Sequence, residues 1–324
     1  MSEADRVSRD SFVGCLIGCA VGDALGAPYE GLRGDQIPID DIARGIYGEF
    51  EGYPRGQFTD DTQLTLATVR GIVQAGAVDP AEIAREIGEL WRTAAVIGPG
   101  GACMEAGDRY LASGDWRTCG APPGRAGNGA AMRAAILGLC FRSRDELVAG
   151  VTPIARLTHQ DSRAVAGAVV VAELTRLLAS QDKAAPETIL RSVIELSRSL
   201  DSVMSEALEQ LPGLLAVSVG EALPVLAALG GGSPDLARPA ITPYVVPTVA
   251  ACIWAVLRNP DSWIDGVTEV MRLGGDVDTT GAIVGAVLGA RLGVEGIPGA
   301  AVRDVHARNK LIVAAHRLWS VYKP

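Results

Sequence analysis

Glycine recurs at every fourth residue in two stretches near opposite ends of this chain, a spacing that constrains the fold more than any other feature. Gly14, Gly18, Gly22 and Gly26 form the first series, through GCLIGCAVGDALG. Gly281, Gly285, Gly289 and Gly293 form the second, within LGGDVDTTGAIVGAVLGARLG. On a helix such residues share one ridge, which lets another backbone approach closely. Each costs roughly 1 kcal/mol against alanine, so tight packing has to offset it. Two buried helices follow, in close contact and candidates for packing on one another. The alternative is a membrane helix with a small-residue face. Asp23 interrupts the first run, while Asp278 and Arg291 bound the second, so neither approaches the ~20 uncharged residues of a span.

Helical periods dominate elsewhere, with no series of alternating β-branched strands, so the fold class is all-α. No linker divides the 324 residues, and 48% hydrophobic content supplies one large core, so a single compact multi-helix domain over residues 1–324 is expected. Helices are predicted over Phe12–Leu25, from Thr59 to Ala75, from Pro80 to Trp91, and over Ala102–Leu111, Ala130–Leu139, Ser143–Ala155 and Ser162–Leu178. Two or three peripheral ones, broken at Pro186, Pro212 and Pro224, fill residues 181–229. Another runs from Pro247 to Leu257, and a last, amphipathic one spans Val302–Val321. The long connections Ala27–Pro54 and Leu229–Pro247 read as irregular, the first of them as a functional loop.

A net charge of −9 argues against a broad nucleic-acid surface and leaves room only for a local cationic pocket. The six cysteines lack CxxC spacing and read as reduced core thiols. The opening MSEADRVSRD shows no export signal, so a cytoplasmic setting is expected.

Two segments more than 200 residues apart present nearly the same chemistry at a helix start: Thr59, Asp60, Asp61 and Asp276, Asp278, Thr279. Gly274 and Gly275 precede the second and let its oxygens crowd together. Oxygen-only donors suit magnesium, manganese or calcium and argue against a thiol-rich zinc site. Each segment alone is equally explained by helix capping, because Thr and Asp are preferred caps and acidic first turns favour the helix dipole. Their pairing shifts the balance to a metal, since carboxylates crowded together repel unless cations are present.

GCAVGDALGAPYE, TDDTQLTLA, GNGAAMRAA, LTHQDSRAVAGA and GGDVDTTGAIVGAVLGA occur in this order, and together they resemble the ADP-ribosylglycohydrolase family. The resemblance runs from about Phe12 to Gly293 and is weakest over residues 181–240. It implies a single all-α domain with a binuclear Mg2+ or Mn2+ site in a central cleft. It also implies that Thr59, Asp60, Asp61, Asp276, Asp278 and Thr279 are the metal ligands. The bond broken would be the glycosidic link at ribose C1, through an oxocarbenium-like transition state. Asp60 or Asp61 is the candidate for activating water. Glu30, seven residues after Asp23, matches the loop glutamate that the serine-directed branch uses as an acid/base. The nitrogenase-type bacterial branch has a glutamate there too. A solvated loop glutamate is its ordinary explanation. Asp23 is a candidate either for reaction or for anchoring a loop.

Gly127, Asn128 and Gly129 form a turn able to cradle a diphosphate, with Arg125 and Arg133 as phosphate partners. His159 matches a cleft histidine of the family, although a lone histidine is more often a structural cap. Where serine-directed relatives place Ser and Tyr before the Gly-Asn pair, this chain has Arg125 and Ala126, so adenine needs another aromatic surface. Tyr244 is the candidate, its ordinary role being packing at a helix entrance. Ile136 replaces a family proline, with an effect expected on packing only. His306 and His316 read as surface or packing residues. The leading function is removal of ADP-ribose from a modified protein side chain, arginine before serine, with free ADP-ribose as product and no membrane partner. The competing readings are hydrolysis of O-linked ADP-ribose and a non-catalytic ADP-ribose-binding or structural protein.

Overall fold

The computed structural model describes residues 7–180, 184–232 and 239–323; the start of the MSEADRVSRD segment and part of the Leu229–Pro247 stretch lie outside the described residues. Ser8 caps α1 (Arg9–Gly26) by accepting from the Ser11 N–H. Two 3-10 turns and the short α2 (Ile39–Ala43) occupy the long connection before α3 (Asp60–Ala75). Asp79 caps α4 (Pro80–Arg92), and α5 (Gly101–Ser113) follows a glycine-proline turn. After the single turn of α6 (Ala135–Gly138), Ser143 and Glu146 form a reciprocal capping box on α7 (Arg144–Arg156), and Asp161 caps α8 (Ser162–Ala179). α9 (Pro186–Arg198), α10 (Ser202–Leu208) and α11 (Val219–Ala228) lead to α12 (Val245–Arg258) and α13 (Trp263–Met271). α14 (Val277–Leu292), α15 (Gly299–Asp304) and α16 (Arg308–Tyr322) complete the described chain. Only isolated β-bridges, and no strand, occur among the described residues.

The two glycine ridges pack on each other. α1 and α14 run antiparallel, so Gly14 meets Gly289, Gly18 meets Gly285 and Gly22 meets Gly281. A Cβ added at Gly14, Gly18 or Gly22 would stand 2.1, 2.1 or 2.0 Å from the facing carbonyl oxygen, closer than any side chain can sit. The pair forms the axis of the core: α14 is buried from Val277 to Ala290, and α3, α8, α12, α13 and α16 surround it and its partner. Residues 9–29 are apolar and long enough to cross a membrane by composition, yet 94% of their most apolar 18-residue window is buried inside the protein. Trp263 donates its indole N–H to Gly285 O at 2.8 Å, covering the ridge from the side.

The architecture departs from the sequence expectation in four places. The helix predicted over Ala130–Leu139 contracts to Ala135–Gly138, because Asn128 O accepts from both Ala131 and Met132 N–H and the chain proceeds through tight turns. Pro224 lies inside α11 instead of ending it; its missing hydrogen bond would have gone to Gly220 O, on an exposed first turn. Helix α13 was not anticipated. The final helix is two helices, because the chain at residues 304–306 packs on the Gly56 loop, with His306 N–H donating to Gly56 O at 2.9 Å, and Ala307 turns left-handed at φ 53°.

Candidate active site

The acidic start of α3 is placed by a side chain. Asp23, fully buried on α1, accepts from Thr59 N–H and Thr62 N–H and from both hydroxyls, the shortest being Thr62 Oγ1 at 2.6 Å. It does for α3 what an N-cap residue does, from another helix. Of the two roles open to Asp23, the contacts are those of an anchor. Thr59 Oγ1 lies 2.9 Å from Asp23 Oδ1 and 3.3 Å from Asp61 Oδ2, and it has one hydrogen to give, which goes to the nearer acceptor. Its lone pairs are thereby left on the Asp61 side. The Asp60 N–H reaches Ile97 O at 2.9 Å and ties the glycine-proline turn beside the site.

The start of α14 is placed by backbone. Gly274 and Gly275 adopt φ of 70° and 83°, and a Cβ on Gly275 would lie 2.0 Å from Ile241 O. This left-handed step lets Asp276 N–H donate to Ile241 O at 2.8 Å while Gly275 pairs with the first long loop, through Gly31 N–H to Gly275 O at 2.8 Å and Gly275 N–H to Leu32 O at 2.7 Å. Glu30 is carried with that pairing to the rim above Asp276 and Asp278. The three residues offer carboxylate oxygens within 4.8 Å of one another.

Both starts open into one cleft of about 540 Å³, counted to its open mouth. Glu30, Asp60, Asp61, Asp276, Asp278 and Thr279 line it, joined by Gly127, Asn128, Gly129 and His159. Asn128 donates to Asp276 Oδ2 at 2.6 Å and Thr248 Oγ1 at 3.1 Å, while its own N–H goes to Pro243 O. A diphosphate cradle in this turn is therefore left to Gly127 and Gly129. The glycines also make room for the histidine: a Cβ at Gly129 would meet Cys103 Sγ at 2.5 Å and His159 Cε1 at 3.0 Å.

Four candidates for contact with metal or substrate lie outside the cleft lining: Thr59, buried behind it between Asp23 and Asp61, and three others. Arg125 is exposed and paired with Glu105 at 3.2 Å, outside the cleft lining, so it is not brought to the site. Arg133 is 1% exposed, and its Nη2 is committed to Ile154 O and Thr158 Oγ1, which removes it as a phosphate contact. Tyr244 is half-buried beside the cleft, bridged through backbone to Gly127; its hydroxyl donates to Gly230 O and Arg163 sits over its ring at 5.6 Å. Sequence reasoning missed the Gly98–Ala102 turn, Cys103, Met132 and Pro243 as lining residues. None carries a local signal, since each arrives through contacts between distant segments.

Charge is the unresolved feature of this cleft. Five carboxylates line it and no Lys or Arg does. Burial first, then mutual repulsion, pushes Asp60, Asp61 and Asp278 well above the ordinary carboxylate range, and burial also raises Asp276 and Glu30. Asp23 rises to about 6 because of burial, restrained by its threonine hydrogen bonds. Asp61 Oδ1 is buried with no hydrogen-bond partner among the described residues, and Asp61 Oδ2 has only the Thr279 hydroxyl at 3.3 Å as a donor, the hydrogen of Thr59, also at 3.3 Å, being given to Asp23. An orphaned carboxylate oxygen within a set of hard oxygen donors fits a divalent cation, and the residues present are suited to hold one.

The cleft is set in an all-α fold built on a glycine-ridge helix pair, with two acidic helix starts facing it, and a family match assigns this arrangement to a class of glycosidic-bond hydrolases. The family model for ADP-ribosylglycohydrolase matches residues 4–324, and the chain belongs to that family. It is 28% identical to the ADP-ribosyl-[dinitrogen reductase] glycohydrolase of Rhodospirillum rubrum over 90% of this chain and 88% of that protein. It is 27% identical to the ADP-ribosylarginine hydrolase Tri1 of Serratia proteamaculans, over 90% of this chain and 74% of the relative, and 26% identical to the ADP-ribosylhydrolase ARH3 of Gallus gallus, over 96% and 93%. A solved structure titled ADP-ribosylglycohydrolase-related protein complex superposes with a TM-score of 0.77 at 29% identity, covering 97% of this chain and 99% of that one.

Proposed function

We propose that this enzyme hydrolyses the N-glycosidic bond between ADP-ribose and an arginine side chain of a modified protein, releasing free ADP-ribose, with residues 1–324 acting as one domain in the cytoplasm. The observation that carries the reading as a metal-assisted hydrolase is the cleft itself, five carboxylates and no lining Lys or Arg beside a glycine turn. The preference for arginine is supported by Arg125 and Ala126 standing where serine-directed relatives place Ser and Tyr, and by the likeness to the dinitrogen reductase glycohydrolase. Asp60, Asp61, Asp276, Asp278, Thr279 and Thr59 would hold two Mg2+ or Mn2+ ions. Bound there, the cations supply the positive charge that offsets the carboxylates and polarises the oxygens of water and ribose. Asp60 or Asp61 takes the proton of the attacking water. The carboxylates around ribose C1 stabilise the positive charge that develops there as the bond to nitrogen breaks. Asn128 holds Asp276 in register, Gly127 and Gly129 admit the diphosphate, and Asp23 keeps α3 in place. The linked guanidinium is already a cation, so it keeps the electron pair of the broken C1–N bond, leaves as neutral guanidine and is reprotonated by water; the arginine reaction therefore asks little of an acid.

A second reading has a specific support. Glu30 stands at the rim with its carboxyl raised by burial and by Asp276, suited to protonate an alkoxide leaving group, as an O-linked substrate requires. Release of ADP-ribose from matched arginine- and serine-modified peptides, each with Mg2+, Mn2+ or EDTA, tests both. Metal-dependent release from the arginine peptide alone supports the first; release from the serine peptide replaces it with the second. Release from neither, with ADP-ribose still bound, leaves a binding protein.

A further inference from the structure

We propose that Arg133 and Thr158 act as positioning residues that fix the tautomer of His159, placing its hydrogen on Nε2 so that the ring faces the cleft as a neutral donor to an oxygen of the ADP-ribosyl group. The inference rests on the reading of the cleft as an ADP-ribose site and adds the state of one of its side chains. Arg133 is the one Lys or Arg buried among the described residues, and it has no carboxylate partner there. A guanidinium only donates. Its Nη2 donates to Ile154 O at 3.0 Å and to Thr158 Oγ1 at 2.8 Å, so one lone pair of that hydroxyl is taken by a group that can never accept in return.

The hydroxyl hydrogen must then go to another acceptor. Two are present: His159 Nδ1 at 3.0 Å and Ala155 O at 3.5 Å. The nearer one takes it, because Ala155 O already accepts the Thr158 N–H at 3.2 Å and the His159 N–H at 3.1 Å and has no lone pair left for a hydroxyl at 3.5 Å. Nδ1 is thereby an acceptor, and a neutral imidazole that accepts at Nδ1 carries its hydrogen at Nε2. Burial, and the positive charge of Arg133 behind it, hold the ring neutral by lowering its pKa to about 3. Nε2 has no protein partner among the described residues and lies against the glycine turn, 3.1 Å from where a Gly127 Cβ would be. The arrangement gives a cleft crowded with carboxylates a fixed neutral side-chain donor beside the glycine turn.

The test is 15N NMR of histidine-labelled, Mg2+-saturated protein, read from the two-bond proton couplings of the His159 ring, with and without ADP-ribose. The Nε2–H tautomer is expected in the free protein, with the Nε2 resonance shifting on ADP-ribose addition. Thr158→Val removes the hydroxyl and should lose the single tautomer and weaken ADP-ribose binding about tenfold, the scale of one lost hydrogen bond. Thr158→Ser should restore both. An Nδ1–H tautomer in the unmutated protein overturns the proposal without requiring any variant to fold. Unchanged tautomer and binding in Thr158→Val overturns it as well. Failure of the protein to release ADP-ribose from any peptide would strike the functional reading and leave the tautomer measurement standing.

Discussion

The two acidic helix starts carry the same residue types and face the same cleft, yet they are held by opposite means. At α3 a single buried carboxylate, Asp23, gathers two N–H groups and two hydroxyls, so side-chain chemistry from α1 sets the position of Asp60 and Asp61. At α14 no side chain caps the helix N–H groups from another helix; of this helix start Asn128 reaches only the Asp276 carboxylate. Two left-handed glycines and backbone bonds to Ile241 and to the Gly31–Leu32 loop set Asp276 and Asp278, and carry Glu30 with them. Asp60 and Asp278 are thus interchangeable in chemistry and different in vulnerability. The α3 start depends on one removable group, whereas the α14 start depends on the absence of one.

The comparison breaks first if the two starts are unequal in catalysis. Asp60→Ala and Asp278→Ala should each lower kcat/KM for ADP-ribose release by about 10³-fold or more, roughly 4 kcal/mol, with helicity by circular dichroism retained. An active variant in EDTA would remove the cation-holding role. The next effect separates the anchors. Gly275→Ala forces a Cβ 2.0 Å from Ile241 O at a positive φ and should cost about 3 kcal/mol or more of unfolding free energy. Asp23→Ala leaves buried donors of Thr59 and Thr62 unpaired and should cost a similar ~3 kcal/mol, but Asp23→Asn should recover part of it, since an amide oxygen still accepts. No conservative residue rescues Gly275, and a rescue there by any side chain would contradict the backbone account.

The acidic cluster also sets a pH dependence. Asp23 rises from 3.8 to about 6 on folding, and Asp60, Asp61 and Asp278 are also raised well above the ordinary carboxylate range, so the cation-free folded protein binds more protons than the unfolded chain. Raising pH strips those protons, and stability in EDTA should fall from about pH 4 through pH 6 and beyond. Thermal melts with Mg2+ or Mn2+ should flatten that decline. A melting temperature in EDTA that rises across the same range would contradict the assigned shifts. The smallest effect expected is at the exposed Arg125–Glu105 pair: Arg125→Ala should change stability by less than ~0.5 kcal/mol and leave kcat/KM within about twofold. A tenfold loss there would return Arg125 to the site.

Much of this molecule is legible in its residues because the informative signals are local. A four-residue glycine period defines a ridge whatever surrounds it, and two ridges of equal length and complementary shape predict their own contact. Asp79 and Ser143 announce helix starts through capping chemistry that operates within four residues, and the Thr59–Asp61 segment announces one by residue type although its cap comes from Asp23. The double glycine before Asp276 likewise signals a left-handed step, and it is one. Where local signals conflict with distant contacts, the contacts decide. Ala130–Leu139 has the composition of a helix, but Asn128 spends its side chain on Asp276, more than a hundred residues away, and its carbonyl on two turns. Arg125 and Arg133 illustrate the same limit. Eight residues apart and alike as candidates, one faces solvent beside Glu105 while the other is buried behind His159.

By itself, the sequence determined the all-α class, the paired ridges and the identity of the acidic residues, since propensity, period and donor chemistry belong to the residues wherever they stand. Only the tertiary structure decided that Asp23 is an anchor, that Glu30 overhangs Asp276 and Asp278, that Thr59 turns its lone pairs toward Asp61, and that His159 is fed by a buried arginine. Each of those is a matter of which atoms distant segments bring together, within 4.8 Å for the carboxylates of Glu30, Asp276 and Asp278 and about 3 Å for the hydrogen bonds. Hydrogen-bond partnership at that range depends on the packing of helices far apart in the chain, and no local pattern encodes it.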